Sequence, residues 1–155
     1  MKLGVSFPGS HDYNNVLKME SEFNQKMSQL LSRKKSNQGY LMNTVRYQEL
    51  IEEVKSTKQR RNKDFDDYRL LGNFDVLNIS GRERLIQPKD EGNQCLKMYL
   101  PIEELFSGLH TVHLLNNHAD KDIMAVQVKA KYCNVTKEVI KIYLSCCIVC
   151  KKHMD

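Results

Sequence analysis

The sequence predicts an α+β fold, with an N-terminal helical segment, a small antiparallel β segment and a C-terminal domain of three helices. Apolar residues recur every three or four positions before residue 60 and again after Pro101, as in amphipathic helices. Between these regions, short runs rich in leucine, valine and isoleucine are separated by Gly-Asn and Ser-Gly pairs, which indicate strands and turns. The change of period along the chain therefore predicts helices on both sides of a small sheet.

The N-terminal region, residues 1–63, is predicted to be helical and basic. Apolar residues at helical spacing predict one helix over 16–33 and a second over 45–60, with Thr44 as the N-cap of the second. The charged stretch RRNKDFDD that follows has low helix propensity. We interpret it as the linker to the next region.

Region 64–100 is predicted to form the β segment. Its strands are expected at residues 67–71, 74–79, 83–87 and 95–99. The turn signals between these runs favour hairpin connections and hence an antiparallel sheet.

Region 101–155 returns to helical spacing. Pro101 suits a first helical turn, since its missing N–H would have no partner there, and the stripe continues to Val112. Asp120 is placed to cap a helix over 121–132, and Thr136 to cap another over 137–146. The expected order is helix, turn, helix, helix.

The positive charge of the chain suggests that its partners are polyanions. An equally good explanation of each basic run is that it forms the solvated end of a helix. The net charge is +5, and basic residues concentrate in SRKKS and VKSTKQRRNK. The candidate phosphate contacts are Arg33, Lys34, Lys35, Lys58, Arg60, Arg61 and Lys63. No apolar run approaches the roughly 20 residues that span a bilayer, and the N-terminus lacks a secretory signal. We expect a nuclear or cytoplasmic chain that is neither secreted nor bound to a membrane.

Two spaced pairs near the C-terminus predict a metal site. They are His113-x4-His118 and Cys147-x2-Cys150, separated by residues 119–146. Zinc takes four nitrogen or sulfur ligands in a tetrahedron, and these spacings are typical of its sites. His110 is an alternative to His113. Cys146 raises the same question beside Cys147, and we favour His113 and Cys147.

The expected role of the metal is structural, with one Zn²⁺ per chain. Four protein ligands leave no open position for a catalytic water. The acidic pairs Asp66-Asp67, Glu52-Glu53 and Glu103-Glu104 read as solvated surface, so we expect no enzyme and no small-molecule substrate. A redox role for the Cys-x-x-Cys pair is the rival chemistry, but that motif usually sits in a βαβ context, which is absent here. The remaining histidines and cysteines, His11, Cys95, Cys133 and His153, lack ligand-like spacing.

Longer segments resemble a known family. The ordered histidines and the run KAKYCNVTKEVIKIYLSCCIVCKK resemble the HHCC zinc-binding domain that precedes the catalytic core in retroelement integrases. RKKSNQGYLMNTVRYQELIEEVKSTK, DYRLLGNFDVLNISGRERLIQP and YLPIEELF resemble upstream segments of vertebrate transposon-derived integrase-like proteins. The resemblance covers roughly residues 20–155. It implies a zinc-stabilised helical domain at 101–155, with ligands carried over to His113 or His110, His118, Cys147 and Cys150.

The sequence departs from that family in two ways. Relatives usually have Gly-His-Gly-Gly around the second histidine, whereas this chain has Asn117-His118-Ala119-Asp120, which reduces backbone freedom at the turn. The family's catalytic core follows the cysteine pair, whereas this sequence stops at Asp155. We therefore expect a non-catalytic module derived from a transposon integrase that binds nucleic acid weakly or self-associates. The alternative is a truncated or decayed product with no biochemical activity.

Overall fold

The protein is described by a computed structural model that covers residues 7–33, 41–89, 92 and 95–153. In chain order the elements are α1 (Phe7–Arg33), α2 (Thr44–Gln59), α3 (Phe65–Asn73), β1 (Asp75–Ile79), β2 (Arg82–Ile86), α4 (Ile102–Leu115), α5 (Lys121–Lys131), α6 (Lys137–Cys146) and α7 (Ile148–His153). The chain is mostly helical with a small antiparallel sheet, which confirms the predicted α+β class.

The sheet is one hairpin. Asp75 lies opposite Ile86, and Ile79 lies opposite Arg82. Ser80 and Gly81, between the strands, have φ of 54° and 85°, the conformation that a tight two-residue hairpin turn requires. The strands predicted at 74–79 and 83–87 are confirmed.

The strand predicted at 67–71 is wrong, because this stretch belongs to α3. The helix starts with a capping box: the Asp67 amide donates to Asp64 Oδ1 at 2.9 Å, and the Asp64 amide donates to Asp67 Oδ2 at 3.1 Å. These bonds satisfy amides that a helix start otherwise leaves unpaired. Leu70 and Leu71 fit either period, and in the helix they pack against the core.

The strand predicted at 95–99 is also wrong, since only Met98 makes bridges. Met98 pairs antiparallel with Ile86 and parallel with Tyr132. Met98 lies between these two partners, and a single bridge on each side builds no ladder. It connects the hairpin to the end of α5 through the Met98 amide, which donates to Lys131 O at 2.9 Å.

The helix caps bear out part of the prediction. Asp120 accepts from the amides of Asp122 and Ile123, and Thr136 accepts from the amide of Val139, as expected. The prediction for Thr44 is wrong by one residue: Asn43 caps α2, and Thr44 is the first helical residue. Helix α1 begins at Phe7 instead of residue 16, and the short helix α7 was not predicted.

Buried side chains form two clusters. The first joins α1 to α4, α5 and α6, and its α1 members are Met19, Phe23, Met27 and Leu30. The second gathers α2, the hairpin and Tyr99. Arg84 of β2 links the hairpin to α4, because its guanidinium lies 3.0 Å from the carboxylate of Glu104. The division into domains at 1–63, 64–100 and 101–155 stays a prediction.

Within the described ranges, no helix combines the length and the apolar character that a bilayer crossing requires.

Candidate metal centre

The end of α4 places the two histidines. The His118 amide donates to His113 O at 2.9 Å, and the Asn117 amide donates to Leu114 O at 3.2 Å. This pair of bonds is a Schellman motif, in which the chain reverses through a left-handed residue after the helix. Asn117 and His118 have φ of 55° and 57°. The reversal folds His118 back onto the last turn of α4, where its ring meets that of His113 edge to face at 4.7 Å.

The junction of α6 and α7 places the two cysteines. Cys147 ends α6 with an extended backbone, φ −70° and ψ 115°, and its carbonyl accepts from the Lys151 amide at 3.0 Å. The chain therefore starts a new helix within one residue. Cys150 lies on the first turn of α7, three residues after Cys147, so that both sulfurs face the same side.

These two turns bring His113, His118, Cys147 and Cys150 together. One ligand atom from each residue lies within 4.8 Å of the others. His113 Nε2 is 3.3 Å from Cys150 Sγ, and His118 Nδ1 is 3.5 Å from Cys147 Sγ. The group could bind a metal ion. Both cysteines are free thiols.

Two nitrogen–sulfur distances in the group fit a tetrahedral ion. Zinc–sulfur bonds of about 2.3 Å and zinc–nitrogen bonds of about 2.0 Å place neighbouring ligand atoms roughly 3.3 to 3.8 Å apart in a tetrahedron. Both measured nitrogen–sulfur distances, 3.3 and 3.5 Å, fall in that range. His113 is fully buried, and its Nδ1 has no hydrogen-bond partner among the described residues. Nε2 faces Cys150 Sγ and is therefore the nitrogen of His113 that would bind an ion.

Burial sets the protonation of the group. Burial, assisted by the nearby His118 and His110, lowers the pKa of His113 to about 4. Burial, followed by the contact with Cys147, raises the pKa of Cys150 to about 11. Near pH 7 and without a metal, His113 is a neutral imidazole and Cys150 a neutral thiol. A bound divalent cation reverses the preference of the sulfurs, since a coordinating thiol loses its proton.

The two alternative ligands have other contacts. His110 Nδ1 lies 2.7 Å from the hydroxyl of Tyr143, and its ring stacks on Phe106. Cys146 is fully buried in the first cluster, where its sulfur lies 3.9 Å from Ser145 Oγ. Neither residue belongs to the group of four. Sequence spacing had left both open.

Tyr143 is a contributor that the sequence analysis missed. It is fully buried, and its ring lies 5.2 Å from that of His113, which it contacts edge to face. Its position four residues before Cys147 on the buried face of α6 is the signal that could have identified it. Tyr143 thus holds His113 on one side and His110 on the other.

The predicted phosphate contacts are dispersed and partly neutralised. Lys58 pairs with Asp75, Arg60 lies 2.7 Å from Asp67, and Lys63 donates to the backbone of Arg60. Arg33 is exposed at the end of α1, and Arg61 is exposed after α2. Lys34 and Lys35 lie outside the described residues.

Comparison with known proteins identifies a human relative. No protein-family model matches the chain, and no solved structure matches it. Human KRAB-A domain-containing protein 2 is 33% identical over 135 residues, which are 87% of this chain. The matched part is 27% of that relative, so the chain spans about a quarter of its length. The chain is therefore homologous to a segment of KRAB-A domain-containing protein 2.

Proposed function

We propose that the chain is a non-catalytic module in which one structural Zn²⁺ is held by His113, His118, Cys147 and Cys150. The observation that carries the proposal is the convergence of these four ligand atoms within 4.8 Å. The residues come from two distant points of the chain and meet through two specific turns. A group of two imidazoles and two thiols on such turns has the composition of a closed zinc site.

The chemistry favours a structural role. Four protein ligands complete the coordination of zinc, so that no position remains for a reacting water. A catalytic cysteine instead requires a lowered pKa, whereas burial raises that of Cys150 to about 11. Structural zinc sites contribute on the order of 10 kcal/mol of apparent folding free energy. Here the ion would join the end of α4 to the α6–α7 junction.

Native mass spectrometry of the purified full chain tests the proposal. We expect one zinc per wild-type chain and none in the Cys150→Ser variant. Cys95→Ser is the matched control, because Cys95 is exposed and outside the group of four, and it should keep the metal. Absence of zinc from the wild type, or its retention in Cys150→Ser, would overturn the assignment. Absence from all three chains would favour the alternative, a decayed product with no biochemical activity.

The second candidate function is weak, sequence-independent nucleic-acid binding. A net charge of +5 and the exposed Arg33 and Arg61 support it, whereas the ion pairs of Lys58 and Arg60 reduce the charge available for phosphate. Phosphate-driven affinity should fall steeply between about 50 and 200 mM salt. An Arg33→Glu/Arg61→Glu double variant should bind a duplex more weakly than wild type. Equal binding by the two chains would exclude these contacts.

The proposal also includes an evolutionary origin and a cellular location for the chain. Derivation from a transposon integrase rests on the resemblance of the histidine and cysteine order to the HHCC domain. The nuclear location rests on the basic run that ends at Lys63. Self-association is the further role that such a module would serve, and sedimentation of the zinc-loaded chain at several concentrations measures it.

A further inference from the structure

A groove lies beside the candidate metal centre. It has a volume of about 980 Å³ and runs between the turn after α4, the face of α6 and α7. Its wall includes His118 and Cys150, two of the four candidate ligands. Pockets of this size commonly bind ligands or short segments of other molecules.

The groove combines apolar surface with lysines. Ala119, Leu144 and Val149 supply apolar lining, and the Val149 side chain is 45% exposed. Lys121 and Lys141 also line it, and the same two lysines border a smaller neighbouring cavity of about 180 Å³. Lys137 lines that second cavity, which extends the basic border along α6.

The border of the two cavities carries more positive than negative charge, since Lys137 adds to the three lysines of the groove and Asp122 lines the smaller cavity beside them. In the ranges that the structure describes, neither Lys121 nor Lys141 has a carboxylate within ion-pair distance. Lys151, the third lysine of the groove, pairs with Glu22 at 3.1 Å. The nearby carboxylate of Asp120 is engaged by the amides at the start of α5. An anionic partner would therefore meet two unpaired ammonium groups beside an apolar lining.

We propose that this groove docks an acidic segment of a partner protein, one that carries apolar side chains between its carboxylates. The apolar residues would cover Leu144 and Val149, and the carboxylates would pair with Lys121 and Lys141. A nucleic acid fits this surface less well. Single strands are held by aromatic stacking, and none of the described lining residues is a phenylalanine, tyrosine or tryptophan; the ring on the wall is that of His118, a candidate metal ligand. Duplex phosphates gain nothing from an apolar lining.

Docking depends on the metal, and this part of the inference rests on the proposed function. Val149 and Lys151 flank Cys150 on α7, a helix of six residues. So short a helix has little stability of its own. When Cys147 and Cys150 hold the ion together with the histidines, α7 is fixed against the turn that carries His118. Release of the ion frees one wall of the groove.

Fluorescence anisotropy on the full chain tests the inference. The probe is a fluorescein-labelled peptide in which glutamate and leucine alternate at helical spacing. One control is the same peptide with serine in place of leucine. The other is a labelled nucleic-acid duplex with the same net charge as the probe peptide. We expect the zinc-loaded chain to bind the glutamate–leucine peptide most tightly. Lys121→Glu/Lys141→Glu should weaken that binding at least about 10-fold. Lys129→Glu, on the exposed face of α5 and absent from the lining, should bind as wild type does.

Zinc content, measured in the same samples, separates the two proposals. A chain that binds no zinc overturns the proposed function. A chain that binds zinc but not the peptide, or that binds the duplex more tightly, overturns only the docking inference. Equal peptide binding by wild type and Lys121→Glu/Lys141→Glu overturns it as well. Peptide binding that survives complete chelation contradicts the metal dependence.

Discussion

Asn117 and His118 shape the candidate site through their backbones, and His118 also supplies one of its four ligand atoms. Both have positive φ, 55° and 57°, where most residues other than glycine are strained. Asparagine tolerates this region better than other residues because its short polar side chain bonds locally. Glycine adopts this conformation without strain. The structure therefore explains why asparagine can stand there: the turn needs a left-handed residue, and asparagine is the next best choice.

Asn117→Ala should lower the free energy of unfolding by about 1 kcal/mol, since alanine pays the full cost of the left-handed conformation. Asn117→Gly should not lower it, because glycine adopts positive φ without strain. Urea denaturation of the zinc-loaded chains measures both values. Equal destabilisation by alanine and glycine would show that the side chain of Asn117, and not its φ, matters.

Alkylation of individual cysteines should show which of them a bound metal protects. Thiolates bound to an ion are shielded, so we expect iodoacetamide to leave Cys147 and Cys150 unmodified in the zinc-loaded chain and to label them after chelation. Cys95 is exposed and serves as the internal control, labelled in both states. Peptide mass spectrometry gives the extent at each site. An equal extent of labelling of Cys147 and Cys150 before and after chelation would contradict a metal at these sulfurs.

The elements show which features the sequence could reveal. Asp120 and Thr136 were found because each precedes a helix with a clear stripe, and the Ser80-Gly81 turn revealed the hairpin. Helix α3 was missed because Leu70 and Leu71 suit a strand equally well, and the decisive signal was the aspartate three residues after Asp64. The packing of α1 on α6 joins distant parts of the chain, and no local pattern encodes it.

The capping box of α3 should make stability depend on pH. The Asp64 amide, and then Arg60, hold the pKa of Asp67 below its ordinary value. A carboxylate with a lowered pKa stabilises the fold above its unfolded pKa of about 3.9, and this contribution is lost as the pH falls through the folded value. Wild type should therefore lose more stability than Asp67→Asn between about pH 5 and pH 2.

Urea denaturation across that pH range tests the prediction for Asp67. The difference between the two chains is the informative quantity, because release of the metal at low pH affects both. Parallel curves for wild type and Asp67→Asn would contradict it.

Asp64→Ala, which removes the N-cap side chain, should lower the free energy of unfolding by about 1 kcal/mol near pH 7.

Substitution of Phe23 should show that the packing of α1 against the C-terminal helices contributes to the stability of the fold. The side chain of Phe23 is fully buried, and its ring lies 5.7 Å from that of Phe106 and 6.4 Å from that of Tyr143. Phe23→Ala should lower the free energy of unfolding by about 3 to 5 kcal/mol. Leu17→Ala, on the same helix but with a 45% exposed side chain, should cost much less. Similar losses in the two variants would argue against this packing.

The buried side chains of the described residues form two clusters, and the candidate ligands lie at only one of them. The candidate ligands Cys147 and Cys150 belong to the first cluster or pack against it, together with α1 and α4–α6. The second cluster, with α2 and the hairpin, has its own buried contacts. In the second cluster the hydroxyl of Tyr47 donates to Tyr99 O at 2.9 Å and accepts from the Leu85 amide at 2.8 Å. Loss of the ion should therefore act on one cluster before the other.

Hydrogen exchange should resolve this difference. At a free zinc concentration about 1,000 times the dissociation constant, binding stabilises the folded state by about 4.1 kcal/mol. Chelation removes this term, and we expect amide protection to fall most in α4, α6 and α7, next in α1, and least in α2 and the hairpin. Cys150→Ser in the presence of zinc should reproduce the chelated pattern. An equal loss of protection in both clusters would mean that Arg84, Glu104 and their neighbours couple the molecule into one cooperative unit. No loss of protection in either cluster would mean that the helices hold the four ligands in place without the ion.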